Sequence, residues 1–125
     1  MDIQRLKKND LKVWLPLMDE VEVLVRHITQ GEFDAISKQA TAVKFDKNHV
    51  KREERDEEQF RSLLARAVVL DWRGIKDGDD PYPCTPENMD YLMRECTEFR
   101  LLVMDVPLSL ERMLAAEKAA AEKNS

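Results

Sequence analysis

The order of apolar and polar positions predicts a β-hairpin near the amino terminus. Residues 12–17 form a short apolar run, and the valines of residues 21–26 alternate with other side chains, as in a strand with one buried face. Pro16 cannot donate a ladder hydrogen bond, which restricts the first run to an edge of the sheet. Since an isolated hairpin is only marginally stable, we expect it to pack against helices.

Apolar residues at helical spacing dominate the rest of the chain. The spacing predicts four helices, over residues 30–43, 52–70, 86–96 and 99–113. Thr29 followed by Glu32 gives a capping-box pattern at the start of the first helix, and Thr85 before Pro86 gives a start for the third. Pro107 lies inside the fourth helix, where its missing N–H predicts a kink or a break.

Three polar segments flank or interrupt these elements. Residues 44–58 carry nearly balanced charges of both signs, and we interpret them as a solvated linker that enters the second helix, with a nucleic-acid contact as the alternative. Residues 1–10 lack periodicity and predict a flexible arm, while residues 114–125 favour helix but offer little apolar surface, which predicts a frayed helical tail. The predicted fold is mainly α: a single small domain over residues 11–113, with about four helices and a short amino-terminal β-hairpin.

The composition argues against several classes of function. The formal net charge of −5 disfavours a general nucleic-acid-binding protein, which normally shows a basic stripe. No apolar stretch approaches the roughly 18 residues of a membrane span, and residues 1–8 have no apolar signal core. We therefore expect a cytoplasmic protein with neither nucleic-acid nor membrane partners.

No residue pattern predicts catalysis, a cofactor or a metal ion. An EF-hand loop counted from Asp77 would need glycine at its sixth and glutamate at its twelfth position, but Tyr82 and Asn88 stand there. The two cysteines and two histidines lack the spacing of a zinc site, and the three glycines are too scattered for a phosphate-binding loop. The sequence therefore predicts a protein that is not an enzyme and that carries no cofactor.

Residues 70–89 place two aromatic side chains in a segment rich in glycine, aspartate and proline. Burial of large rings is strongly favourable, so we expect Trp72 to lie against the second and third helices; contact with a partner is the alternative use of Trp72 and Tyr82. The many methionines suit a surface that accepts varied apolar partners, with ordinary core filling as the alternative. The candidate partner-binding residues are Trp72, Tyr82, Met89, Leu92, Met93, Phe99, Val103 and Met113.

The order of parts in this segment resembles the tail assembly chaperones of long-tailed bacteriophages and prophages. An apolar run is followed by Asp-Trp-Arg-Gly-Ile, an acidic glycine turn, Pro-Tyr-Pro-Cys-Thr-Pro-Glu-Asn and an apolar helix. The resemblance extends in weaker form over residues 11–113. It leaves the charged segment 44–58 unexplained.

The resemblance implies a non-catalytic chaperone that binds the phage tape measure protein and helps recruit tail tube subunits. Such chaperones act in the cytoplasm of the bacterial host and are not expected in the mature virion. Self-association stays open. Two other classes of protein also stay open: a small acidic intracellular adaptor or inhibitor, and a structural head–tail connector subunit.

Overall fold

A computed structural model describes residues 11–123. The helices in this part of the chain are α1 (Gln30–Gln39), α2 (Glu57–Val68), α3 (Pro86–Glu95) and α4 (Thr97–Lys123). The strands are β1 (Lys12–Met18), β2 (Val21–Arg26), β3 (Thr41–Phe45), β4 (Lys51–Arg55), β5 (Val69–Arg73), β6 (Lys76–Asp77) and β7 (Asp80–Pro81). The predicted flexible arm, residues 1–10, lies outside the described residues, as do the last two residues of the predicted tail.

The expectation of a mainly α fold is wrong, because the described chain combines four helices with three antiparallel sheets. The largest sheet has the order β1-β2-β5, and the other two are the hairpins β3–β4 and β6–β7. The predicted amino-terminal hairpin is confirmed, with β1 at the edge of its sheet and a register shift between Pro16 and Met18. The additional strands come from residues that the sequence pattern assigned to helix, linker and loop.

The core lies between the three-stranded sheet and the helices. Val23 and Val25 of β2 are fully buried, and Val23 stands opposite Trp72 of β5. The helices contribute the fully or almost fully buried side chains Phe60, Leu64, Val68, Phe99, Val103, Val106 and Leu110. Strand β5 follows α2 directly, so one continuous segment supplies both a packed helix and the third strand of the sheet.

Two polar side chains at the end of β2 connect this sheet to the helices. Arg26 donates from Nε to the carbonyl of Ala67, at 2.6 Å, and pairs through Nη2 with Glu32 at 3.0 Å. The hydrogen bond from Arg26 holds the pKa of the Glu32 carboxyl below its usual range. His27 is buried, and its Nε2 lies 2.9 Å from Oε1 of Glu111 on α4. The end of β2 is therefore joined to α1, α2 and α4.

The segment predicted as a charged linker and helix start is the hairpin β3–β4. Strand β3 alternates Thr41, Val43 and Phe45, residue types that favour strands. Lys44 pairs with Glu54 across the two strands at 3.2 Å. All but one of the ten strand residues are exposed, so this hairpin projects from the body of the domain.

The new hairpin also moves the boundaries of its neighbouring helices. The Thr29 capping box starts α1 as predicted, but α1 ends at Gln39 because the chain then enters β3. Helix α2 starts after Asp56, whose carboxylate accepts from the N–H of Gln59 at 3.1 Å. The N–H of Asp56 donates to the carbonyl of Ala40 at 2.8 Å, which closes the base of the hairpin.

Helix α4 passes through Pro107 without a break. It runs from Thr97 to Lys123, so the helix extends well beyond Met113, the last residue of the predicted fourth helix. The buried residues of α4 recur every three or four positions on both sides of Pro107, which keeps one face against the core.

Gly74 permits the close approach of the segment after β5 to the turn between β1 and β2. Its φ of +89° is accessible to glycine and strained for other residues. A Cβ added at Gly74 would lie 2.6 Å from the carbonyl oxygen of Glu20. Gly78 also has a positive φ, of +66°, but nothing lies within 4 Å of its added Cβ.

We therefore expect Gly74→Ala to destabilise the fold more than Gly78→Ala. The first change adds a backbone collision to the strained φ and should cost at least about 2 kcal/mol. The second adds only the left-handed conformation, at about 1 kcal/mol. Urea unfolding followed by circular dichroism measures both. Equal losses would show that Glu20 moves aside without cost.

Candidate protein-binding surface

Trp72 is at the centre of an aromatic cluster that joins β5, the following loop and α4. Its ring stacks on Tyr82 with centroids 6.0 Å apart and packs against Phe99 in a T-shaped arrangement with centroids 5.8 Å apart. The indole Nε1–H donates to the carbonyl of Tyr82 at 2.6 Å. Trp72 is 6% exposed, so its expected burial is confirmed, but the aromatic rings that it contacts belong to the loop and α4 and not to the predicted second and third helices.

Backbone and capping bonds hold the rest of this loop against the domain. The N–H of Tyr82 donates to the carbonyl of Ile75 at 2.9 Å. The Thr85 hydroxyl accepts from the N–H of Asn88 at 3.2 Å and caps α3, with Pro86 in the first turn as predicted. Asn88 also donates from Nδ2 to the carbonyl of Pro83 at 2.8 Å. These hydrogen bonds fix the start of α3 relative to the loop that precedes it.

Burial changes the acidity of two side chains in this loop. Partial burial raises the pKa of the Tyr82 phenol, and the nearby Tyr91 and Asp77 act in the same direction. Burial raises the pKa of the Cys84 thiol to about 11, with a smaller contribution from Asp71. Cys84 is therefore a poor nucleophile at neutral pH, because the thiolate is the reactive form.

The predicted partner-binding residues separate into a buried and a partly exposed group. Trp72, Met89, Met93, Phe99 and Val103 are all at most 7% exposed and belong to the core. They present almost no surface to a partner and instead pack in the core beneath the exposed residues.

The remaining three candidates, Tyr82, Leu92 and Met113, are partly exposed and pack against the rim of the core. They come from the loop, α3 and the middle of α4. The geometry therefore does not assemble the eight candidates into one exposed patch.

A second apolar row on α4 was missed by sequence reasoning. Leu101, Met104 and Leu108 are 61%, 37% and 53% exposed. Their spacing of three and four residues places them on one face of the helix, opposite the buried row that begins at Phe99. We name these three residues the α4 stripe. The signal was present in the sequence as a second apolar periodicity within the same helix.

The described residues offer no arrangement for a metal ion. No three His, Cys, Asp or Glu side chains in this part of the chain lie close enough together to hold one. None of the helices between residues 11 and 123 combines the length and the hydropathy needed to span a bilayer.

Comparison with known protein families identifies the family to which the chain belongs. The family model of the YdaY prophage protein matches residues 20–124, which is most of the sequence. The chain belongs to the YdaY prophage protein family. No curated protein and no solved structure matches it. Membership in the YdaY family confirms the phage or prophage origin implied by the resemblance, and the matched range includes the Trp72 cluster and the α4 stripe.

We expect Trp72→Ala to destabilise this YdaY-family protein by about 3–5 kcal/mol, as for other buried aromatic truncations. Trp72→Phe keeps an aromatic ring but leaves the Tyr82 carbonyl without its indole donor, so its cost should be about 1–3 kcal/mol. Urea unfolding followed by circular dichroism gives both values. An unchanged midpoint for Trp72→Ala would mean that the cluster does not support the fold.

Alkylation of Cys84 should report on the closure of the loop. With a pKa of about 11, the thiolate fraction at pH 8 is only about 0.1%, and the rate should rise about tenfold per pH unit above that. Peptide mass spectrometry after iodoacetamide treatment measures the rate at this residue. Trp72→Ala should accelerate the reaction at pH 8, because it removes a ring that closes the loop. The same rate in native and urea-unfolded protein would contradict the raised pKa.

Proposed function

We propose that this protein is a non-catalytic chaperone of phage tail assembly that binds the tape measure protein and helps recruit tail tube subunits. It acts in the cytoplasm of the bacterial host and is not retained in the mature virion. The observation that carries the proposal is the α4 stripe, an apolar row on the outer face of a long helix. Membership in a prophage family and the resemblance to tail assembly chaperones support the same function.

The α4 stripe has the form of a helix-binding surface. Leu101 and Leu108 lie seven residues apart, about 10 Å along the helix axis, with Met104 between them. An amphipathic helix laid along this row would bury its own apolar face against the three side chains. Methionine in the middle of the row can adjust its rotamers to different partner side chains.

The net charge and the exposed apolar residues of the chain suit a protein that binds aggregation-prone helices. A tape measure protein is a long helix whose apolar stripes must be shielded from water before the tube polymerises around it. The net charge of −5 helps to keep a complex with such a helix in solution. Contiguous exposed apolar residues on a small domain typically mark contact with another protein.

Co-expression with a tape measure fragment tests the proposal. Leu101→Asp combined with Leu108→Asp should sharply reduce the amount of soluble fragment recovered with the chaperone. Each buried leucine contributes about 2 kcal/mol, so affinity should fall about a hundredfold or more. Unchanged circular dichroism and melting temperature would show that the fold is intact.

Val43→Asp combined with Val50→Asp is the matched control. These valines are 51% and 53% exposed, similar to the two leucines, but they lie in the projecting β3–β4 hairpin. The control should leave recovery of the fragment unchanged. Full recovery with the leucine variant would refute binding through the α4 stripe. Loss of a dimer in gel filtration, with fragment binding retained, would assign the stripe to self-association instead.

A further inference from the structure

A groove with a volume of about 600 Å³ separates α2 from α3 and the start of α4. Its lining includes four arginines and two apolar side chains: Arg61, Arg66, Arg94, Arg100, Leu63 and Met93. The lining residues of α2 extend from Glu58 to Arg66, about 12 Å along the helix axis. The groove is thus long enough to receive two turns of a helix or a short extended segment.

The concentration of arginine in this groove contrasts with the acidic character of the chain. The groove holds four of the ten arginines of a protein whose net charge is −5, and none of its lining residues is lysine. The guanidinium group presents a planar set of donors that matches a carboxylate or phosphate in bidentate geometry. Arginine is therefore suited to recognising an anionic group, beyond contributing positive charge.

Two of the arginines are held by contacts within the domain. Arg66 pairs with Asp90 at 3.1 Å, and the second oxygen of Asp90 accepts from the hydroxyl of Ser62 at 2.7 Å. Arg100 donates to the carbonyl of Met93 at 3.2 Å. These bonds order one part of the groove and satisfy the carboxylate that lies inside it.

The other two arginines, Arg61 and Arg94, face the groove from opposite walls. Within the part of the chain whose side chains are described, no carboxylate lies within 4.0 Å of either guanidinium group. Arg61 comes from α2 and Arg94 from the last turn of α3. Their donors therefore remain available to a ligand.

We propose that this groove binds an acidic, partly apolar segment of a partner protein. Carboxylates on that segment would pair with Arg61 and Arg94, and an apolar side chain would cover Leu63. Glu58, Asp56 and Asp90 also line the groove, so its lining carries both signs of charge. A lining of mixed sign suits discrete carboxylates on a protein segment and disfavours the uniform charge of a nucleic-acid backbone. The groove is a second surface, and its proposed role does not depend on the α4 stripe.

Fluorescence anisotropy with a labelled peptide tests the groove directly. The probe is an alanine-based helical peptide of about 15 residues that carries glutamates around a central leucine. A second probe has glutamine in place of every glutamate. The full-length protein should bind the glutamate probe at least about tenfold more tightly than the glutamine probe. This preference should weaken as salt is raised, because exposed charges are screened.

Substitutions in the chain locate the binding site. Arg61→Gln combined with Arg94→Gln should weaken binding of the glutamate probe at least about tenfold. Arg52→Gln combined with Arg112→Gln removes the same net charge from exposed positions outside the groove and should have little effect. Circular dichroism melts check that both double variants fold.

Several outcomes would overturn the proposal. They are equal binding of the glutamate and glutamine probes, no binding of the glutamate probe, equal effects of the two arginine pairs, and tighter binding of a single-stranded oligonucleotide than of the peptide. The single variant Leu108→Asp, eight residues beyond the groove-lining Arg100, should bind the glutamate probe normally. That measurement separates a failure of the groove from a failure of the tape measure proposal.

Discussion

Strand β5 connects the amino-terminal hairpin to the helices, because it pairs with β2 and also carries Trp72 into the core. The amino-terminal hairpin alone would be marginal in water. Its third strand comes from a segment more than forty residues later, directly after α2. The ring of Trp72 packs against Phe99 of α4, and its indole N–H donates a hydrogen bond to the carbonyl of Tyr82. Sheet, loop and last helix are thereby ordered around one side chain.

Helix α4 has two apolar faces with different consequences. The face that begins at Phe99 is buried along the core, whereas the opposite face exposes Leu101 and Leu108. A helix fixed along one side can present the other side without reorganisation, which limits the conformational entropy that this helix loses on binding. The arginine groove lies beside the start of the same helix and has different chemistry. One small domain therefore offers an apolar surface and a charged surface that both include residues from the start of α4.

The parts of this fold that depend on local chemistry could be predicted from the sequence. The Thr29 capping box, the start of α3 after Thr85 and the amino-terminal hairpin all follow from interactions between near neighbours. Strand β5 depends on pairing with a distant segment, which the strand-favouring residues Val69 and Trp72 do not reveal by themselves. The hairpin β3–β4 was missed because opposite charges such as Lys44 and Glu54 can stabilise a helix surface or a pair of strands.

The candidate surfaces were predictable only in part for the same reason. Apolar periodicity identified α4, and the row of apolar residues that begins at Phe99 is the one that lies against the core, as that periodicity predicts. The shorter second row, which contains Leu101, was not recognised as a surface. The arginines of the groove are far apart in sequence, at positions 61 and 94 on different helices. Only the packing of those helices brings them to one site.

The closed base of the β3–β4 hairpin has a consequence for the modularity of the chain. The bond between the N–H of Asp56 and the carbonyl of Ala40 brings the two ends of the hairpin together. Between these ends the chain leaves the body and returns to almost the same point, while its strand residues remain nearly all exposed. None of residues 41–55 belongs to the buried core, although the guanidinium group of Arg55 lies over the ring of Phe60. The hairpin has the character of an insertion, whose length and sequence can change while the path of the surrounding helices is kept.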